Sequence, residues 1–147
     1  MNNLKKKSIL VTGGTGTFGS EFVKILLKKF KPKRLVVFSR DEQKQYLMSQ
    51  IYSPDKYNCL RYFIGDVRDK NRVNRAFANI DIVVHAAAMK HVPASEYNPT
   101  ECIATNIQGA QNIIDAAISN NVEKVMALST DKASNPINLY GASKLCS

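Results

Sequence analysis

Short apolar runs alternate with amphipathic stretches along the chain. Ser8-Ile9-Leu10-Val11-Thr12 is the first run and reads as a buried strand. Phe18, Phe22, Ile25, Leu26 and Phe30 follow at helical spacing. Leu35-Val36-Val37-Phe38 is a second strand. Ser39 with Glu42 makes a capping box for a helix that carries Leu47 and Ile51 and stops before Pro54. Residues 60–64 form a third strand, and Asp69 can cap a short helix bearing Val73 and Phe77. Residues 80–86 are nearly all apolar, as parallel strands covered on both faces are. Asn98, Pro99 and Glu101 suit the N-cap, N1 and N3 positions of a helix running to about Asn120. Ile103, Ile107, Ala110, Ile114 and Ala117 mark its apolar face. Residues 122–128 read as a fifth buried strand, followed by a polar loop to about Pro136 and a last helix. The regular alternation predicts an α/β fold: a Rossmann-type doubly wound parallel sheet of about five strands. No linker interrupts it, so residues 1–147 read as one domain.

Composition narrows the class of partner. Of 147 residues, 44% are hydrophobic, enough for one core. Lys and Arg number 21 against 12 Asp and Glu, a net charge of +9. Much of the excess lies in Lys5-Lys6-Lys7 and in residues 28–34, flanking a strand and ending a helix, where cations are favoured. Aromatic residues do not interleave with these clusters, which argues against nucleic acid and for anionic small molecules. Cys59, Cys102 and Cys146 are odd in number and show no zinc spacing, so a reduced, cytoplasmic protein without metal is expected. The N-terminus enters a strand at once, which leaves no room for a signal peptide. The apolar runs are far shorter than the ~20 residues of a membrane span.

The first strand runs directly into Gly13-Gly14-Thr15-Gly16-Thr17-Phe18-Gly19. Gly13, Gly16 and Gly19 are spaced G-x-x-G-x-x-G between a strand and a helix. That context suits a pyrophosphate on the helix N-terminus. An Asp or Glu about 20 residues further on would hold the ribose 2′-OH of NAD. Here that place holds Ser39-Arg40, and Lys44 lies one helical turn on. A guanidinium and a hydroxyl suit a 2′-phosphate, which favours NADP. Asp41 and Glu42 are adjacent and leave NAD open.

Tyr140 and Lys144 are four apart, so on a helix they share one face. A free Tyr has a pKa near ~10, and an adjacent ammonium favours its phenolate. Tyr140 is therefore a candidate base. Asp131 and Lys132 add an acid and a base just upstream. A Lys serves as base only if burial or a neighbouring cation lowers its pKa. His85 ends a strand and reads as a packed core residue, whereas His91 lies in a loop near the candidate site.

Together these features resemble the extended short-chain dehydrogenase/reductase superfamily. Ser39-Arg40-Asp41-Glu42, Gly65-Asp66-Val67-Arg68-Asp69 and His85-Ala86-Ala87-Ala88-Met89-Lys90-His91-Val92-Pro93 narrow the match. So do Glu96-Tyr97-Asn98-Pro99, Leu128-Ser129-Thr130-Asp131-Lys132-Ala133 and the run from Asn135 through Tyr140 to Lys144. They resemble the inverting UDP-N-acetylglucosamine 4,6-dehydratases of pseudaminic-acid and flagellin glycosylation. The resemblance implies that Thr15, Gly16, Thr17 and Phe18 lie on the pyrophosphate of NADP, with Ser39, Arg40 and Lys44 around its 2′-phosphate. It implies that Asp66 and Val67 flank adenine, and that Ala86, Ala87 and Lys90 approach the cofactor from the fourth strand. Tyr140 would take the sugar 4-OH proton as hydride leaves C4, and Lys144 would lower the Tyr140 pKa and bind the nicotinamide ribose. Thr130 would place its hydroxyl on a substrate oxygen. Lys132 would remove the C5 proton, and Asp131 would help the 6-OH leave as water. UDP-N-acetylglucosamine is the implied substrate, and a homo-oligomer through the helix of residues 99–120 is the implied assembly. The family's chains are roughly twice as long, so an N-terminal part without the substrate domain is expected. A UDP-sugar 4-epimerase relative and a non-catalytic nucleotide-binding fragment are the alternatives.

Overall fold

The computed structural model describes residues 3–147. A 3-10 turn at Asn3–Lys6 leads into β1 (Ser8–Thr12). Helix α1 (Thr17–Ile25) continues through a π-helical turn at Leu26–Phe30. Then come β2 (Arg34–Ser39), α2 (Glu42–Ile51), β3 (Leu60–Ile64), α3 (Lys70–Ala76) and β4 (Ile82–His85). After β4 lie α4 (Val92–Tyr97) and α5 (Pro99–Ile103), which passes through a π-helical turn at Ala104–Gln108 into α6 (Gly109–Ser119). β5 (Lys124–Ala127), a 3-10 turn at Asp131–Ala133 and α7 (Leu139–Cys146) complete the order.

The sheet has the order β3-β2-β1-β4-β5 with every pair parallel. This is the doubly wound arrangement that the alternating pattern predicts. The pleat sends successive side chains to opposite faces. Leu10, Val36, Phe38 and Val83 meet Val73 and Phe77 of the α3 region and Ile113 and Ala116 of α6. Ile9, Val11, Val37 and Val84 meet Val23, Leu26 and Leu27 of the α1 helix and Met48 of α2. β1 is buried along its whole length, because both neighbours and both helical layers cover it.

Several local expectations change. Residues 122–128 do not form a buried strand: β5 is Lys124–Ala127 and all four residues are exposed. β5 lies at the sheet edge, paired only with β4, so Val125 and Met126 face outward. Ser39 does not cap α2. It is the buried last residue of β2, its hydroxyl accepts from Gln45 Nε2, and Asp41 caps the helix by accepting from the Lys44 amide at 2.9 Å. Leu47 and Ile51 are exposed, and Gln45 and Met48 are the buried side chains of α2. Asn98 holds the N-cap position of α5, but its side chain turns back to donate to the Ala94 carbonyl. Asp69 does cap α3, accepting from the Arg72 amide at 2.9 Å.

The long helix buries only part of the expected face, at Ala110 and Ala117. Ile103, Ile114 and Ile118 are exposed, while Cys102, Thr105, Asn106, Ala110, Ile113, Ala116 and Ala117 are buried. The π-helical turn at Ala104–Gln108 inserts a residue into the helical repeat and shifts its phase. No helix among the described residues is long and apolar enough to cross a membrane.

The two kinds of apolar strand residue separate in a denaturation series. Leu10→Ala empties a fully buried site and is expected to cost about 2–5 kcal/mol in urea melts. Val125→Ser on the open edge is expected to change stability by less than about 0.5 kcal/mol. Equal costs would contradict the burial pattern.

Candidate functional site

β1 and β4 are neighbours although β2 and β3 intervene in sequence, so the strand order reverses between them. Open α/β sheets bind ligands in the crevice that this reversal leaves at the carboxyl ends of the strands. A cavity of ≈ 470 Å³ lies there. The glycine loop forms one wall, with Gly13, Thr15, Gly16, Thr17, Phe18 and Gly19. Gly13 has φ 64°, and a Cβ there would sit 2.8 Å from the Ala87 amide nitrogen, so the turn tolerates no side chain. The N-terminus of α1 opens at Gly16 without a side-chain cap or an acid in its first turn, which leaves its amides free for an anion.

The carboxyl end of β2 supplies Ser39, Arg40 and Lys44, and the end of β3 supplies Asp66 and Val67. Arg40 lies 3.8 Å from Asp66, and Lys44 lies 3.5 Å from Asp41. Burial alone would raise the Asp66 pKa. Three bonds from Arg68 and the charge of Arg40 outweigh it and hold the carboxyl below its ordinary range. Arg68 also bridges to Glu101 of α5. Asp41 spends one oxygen on the α2 cap, the role expected of an acid in a first helical turn.

Ala86, Ala87 and Lys90 line the cavity from the segment after β4, and Tyr140 and Lys144 enter it from α7. Asn138 caps α7 by accepting from Gly141 N at 2.8 Å, and Glu96 accepts from Leu139 N at 2.7 Å. Burial lowers the Lys144 pKa from its ordinary value. Thr130, Asp131 and Lys132 stand apart from the cavity lining, on the 3-10 turn that precedes α7. A side chain at Gly141 would collide with the Lys132 carbonyl oxygen, so glycine is what lets this turn press against α7. The Thr130 hydroxyl donates to Asp131 at 2.9 Å, and Lys132 Nζ lies 3.5 Å from the same oxygen. Those contacts, the hydroxyl first, hold the Asp131 carboxyl below its ordinary range. Asp131 therefore rests as a carboxylate, and a role as acid requires that it first gain a proton.

The residues available suit a dinucleotide in three ways: a side-chain-free turn, an uncapped helix N-terminus and cations beyond the second strand. No cluster of His, Cys, Asp and Glu among the described residues could hold a metal ion.

A family model described as polysaccharide biosynthesis protein matches residues 9–147. The chain belongs to this family. It is 61% identical over 141 residues to an inverting UDP-N-acetylglucosamine 4,6-dehydratase of Campylobacter jejuni. That match covers 96% of this chain and 41% of the relative. A UDP-glucose 4-epimerase of Rickettsia massiliae is 45% identical, over 94% of this chain and 40% of its own length. The chain thus spans about two fifths of the curated relatives it matches. Among solved structures, Pen from Bacillus thuringiensis superposes with a TM-score of 0.94 at 47% identity, covering 99% of this chain and 45% of Pen. The dTDP-glucose 4,6-dehydratase DesIV of Streptomyces venezuelae, solved with NAD, gives a TM-score of 0.81 at 28% identity, over 94% of this chain and 48% of DesIV. The sheet thus has the Rossmann topology that these structures share.

Sequence reasoning passed over two polar residues of the long helix. Thr105 lines the cavity, and its buried hydroxyl has no hydrogen-bond partner among the described residues. That marks it as a further candidate contact for a bound ligand. Asn106 bonds both backbone groups of Met89, accepting at 2.8 Å and donating at 2.9 Å. It also donates to Ser143 Oγ at 2.9 Å, and Ser143 donates to the Tyr140 carbonyl at 2.8 Å. The segment after β4 is thereby tied to α7. The signal for both was a pair of polar residues in phase with Cys102 and Ala110.

His85 is buried and bonded as expected, but it also lines the cavity. Burial first, then the charge of Lys144, push its pKa down to about 4. In an unfolded chain it would titrate near ~6.5. Between these values the unfolded chain binds a proton that the folded chain refuses. Stability is therefore complete above pH ~6.5 and is lost as the pH falls toward 4. Urea melts should show a drop of about 2–3 kcal/mol between pH 7 and pH 4.5 from this group. A level midpoint over that range would contradict the burial of a neutral imidazole.

Proposed function

We propose that this chain is the cofactor-holding, N-terminal part of an NADP-dependent UDP-N-acetylglucosamine 4,6-dehydratase that inverts C5. Its place is the cytoplasm, in the supply of sugars for a surface polysaccharide or flagellin glycan of the pseudaminic-acid type. One observation carries the reading: the Thr130-Asp131-Lys132 turn packs against α7, the helix that brings Tyr140 and Lys144 to the cavity. Oxidation at C4 alone needs Tyr140 and Lys144. An added base and acid are what elimination of water requires.

Bound NADP⁺ would take hydride from C4 of the sugar and return it at C6. Tyr140 accepts the proton of the 4-hydroxyl. Lys144, on the same helix face, steadies the charge that grows on the phenol oxygen and reaches the ribose hydroxyls. The 4-ketone acidifies the C5 proton, which Lys132 removes. Asp131 gives the proton with which the 6-hydroxyl departs as water, and Lys132 Nζ at 3.5 Å is its proton source. As hydride returns to C6 a solvent proton adds to C5 on the opposite face, which inverts C5, and Tyr140 releases its proton to solvent. Thr130 holds a substrate oxygen once its hydroxyl leaves Asp131. Ser39, Arg40 and Lys44 receive the 2′-phosphate, the two cations swinging from pairs that are long at 3.8 and 3.5 Å. The exposed Ile103, Ile114 and Ile118 of the α5–α6 helix form the contact for a second copy.

A 4-epimerase is the second reading, favoured by the Rickettsia relative at 45% identity. A nucleotide-binding piece without turnover of its own is the third. Incubation of a full-length version with UDP-N-acetylglucosamine and NADP⁺ in heavy water, followed by mass spectrometry, separates the first two. The dehydratase yields a product lighter by one water and deuterated at C5, and Lys132→Ala abolishes that exchange. An isobaric product supports the epimerase, and turnover by the 147-residue chain alone overturns the third reading. For the cofactor, Arg40→Ala should weaken NADP⁺ by about tenfold and NAD⁺ by less than about twofold in equilibrium binding. Equal losses would sink the 2′-phosphate assignment.

A further inference from the structure

The cavity floor holds a histidine to which the reading above gives no task. His85 is the last residue of β4, in register with Thr12 at the end of β1. Its Nδ1 lies 2.7 Å from Thr12 Oγ1. The same oxygen accepts from the Ala86 amide at 3.1 Å and from the Ala87 amide at 3.2 Å. A threonine hydroxyl has one proton and two lone pairs. The Ala87 amide takes one lone pair and the Ala86 amide, shared with the Thr12 carbonyl at 3.2 Å, crowds the other, so the hydroxyl proton is directed to His85 Nδ1. That nitrogen is then an acceptor, and the proton of the neutral ring sits on Nε2.

Nε2 makes no hydrogen bond among the described residues, and it is not among the buried polar atoms sealed from solvent. The residue itself lines the cavity. The titratable groups that share the lining are Arg40, Asp41, Lys44, Asp66, Lys90, Tyr140 and Lys144, and of these Lys144 is the one whose charge acts on His85. A protonated ring would place a second cation by Lys144, whose charge already acts on His85. It would also turn an Nδ1–H against the Thr12 hydroxyl proton.

We propose that Thr12 fixes His85 as the neutral Nε2–H tautomer, and that this Nε2–H is a donor to an oxygen of the bound dinucleotide beside Lys144. The donor half rests on the cofactor reading above, whereas the tautomer half does not. His85 adds a hydrogen bond at the cofactor without adding a second charge beside Lys144. Thr12 acts through His85 and is a positioning residue.

The chain has two histidines, so ¹⁵N-histidine labelling reports on His85 almost directly, and His91→Asn assigns the signals. Long-range ¹H–¹⁵N spectra should show a bare Nδ1 and a protonated Nε2, unchanged between about pH 5 and 8. Thr12→Ser should keep that pattern, and Thr12→Val should lose it. Saturating NADPH should shift the Nε2–H resonance, and His85→Phe should weaken NADPH by about tenfold. An Nδ1–H tautomer, or titration near the ordinary histidine value in the unmodified chain, overturns the proposal whatever binds. A fixed tautomer whose Nε2–H ignores NADPH, when nucleotide fluorescence shows binding, overturns the donor half alone. If fluorescence shows that neither NADPH nor NADH binds, the cofactor reading and the donor half fail together, and the tautomer spectrum still decides the Thr12 clamp.

Discussion

The cavity depends on how closely the ends of β1 and β4 approach. Gly13 turns through a positive φ directly against the Ala86–Ala87 backbone, where a Cβ would meet the amide nitrogen at 2.8 Å. Beside it, one threonine hydroxyl joins two amides and an imidazole nitrogen of the neighbouring strand. Burial makes such a satisfied polar cluster costly to break, since each orphaned group would carry its full desolvation penalty. The glycine loop and the segment after β4 are therefore held as one piece. The N-terminus of α1 and the mouth of the cavity take their positions from it.

A second layer of polar contacts carries that rigidity to the candidate chemistry. Asn106 and Ser143 link the Met89 backbone to the Tyr140 carbonyl. Gly141 lets the Asp131–Lys132 turn lie against the same helix. Around the rim the pattern differs. Arg40 and Lys44 are exposed and make only long ion pairs, which are weak in water and readily exchanged for a phosphate. The buried network sets geometry, and the exposed cations remain free to respond to a ligand.

The strand–loop–helix unit at the N-terminus was legible because its determinants are local: an apolar run, three spaced glycines and helical periodicity. The fold class followed from the repeated alternation. Burial was harder to read. The apolar Val125 and Met126 suggest a buried strand, but Glu123 and Lys124 break the run, and β5 pairs on one side only. The face of the α5–α6 helix was legible at Ala110 and Ala117 but not elsewhere, because a π-helical turn shifts the repeat, leaving Ile103 and Ile114 outside and Thr105 and Asn106 inside. Polar residues that face inward look like surface until the partners they satisfy are in view. Asp131 and Lys132 were legible as chemistry. Their standing off the cavity, on a separate turn, was not.

The central claim is that a dinucleotide lies across the β1–β4 junction and reaches the Tyr140–Lys144 helix face. Amide hydrogen exchange of the chain with and without NADP⁺ tests it most directly. The account predicts slowed exchange in three separate stretches: residues 13–19, residues 86–90 and the first turns of α7. Protection missing from all three while the nucleotide is bound, or confined to the lysine-rich residues 28–34, would contradict it.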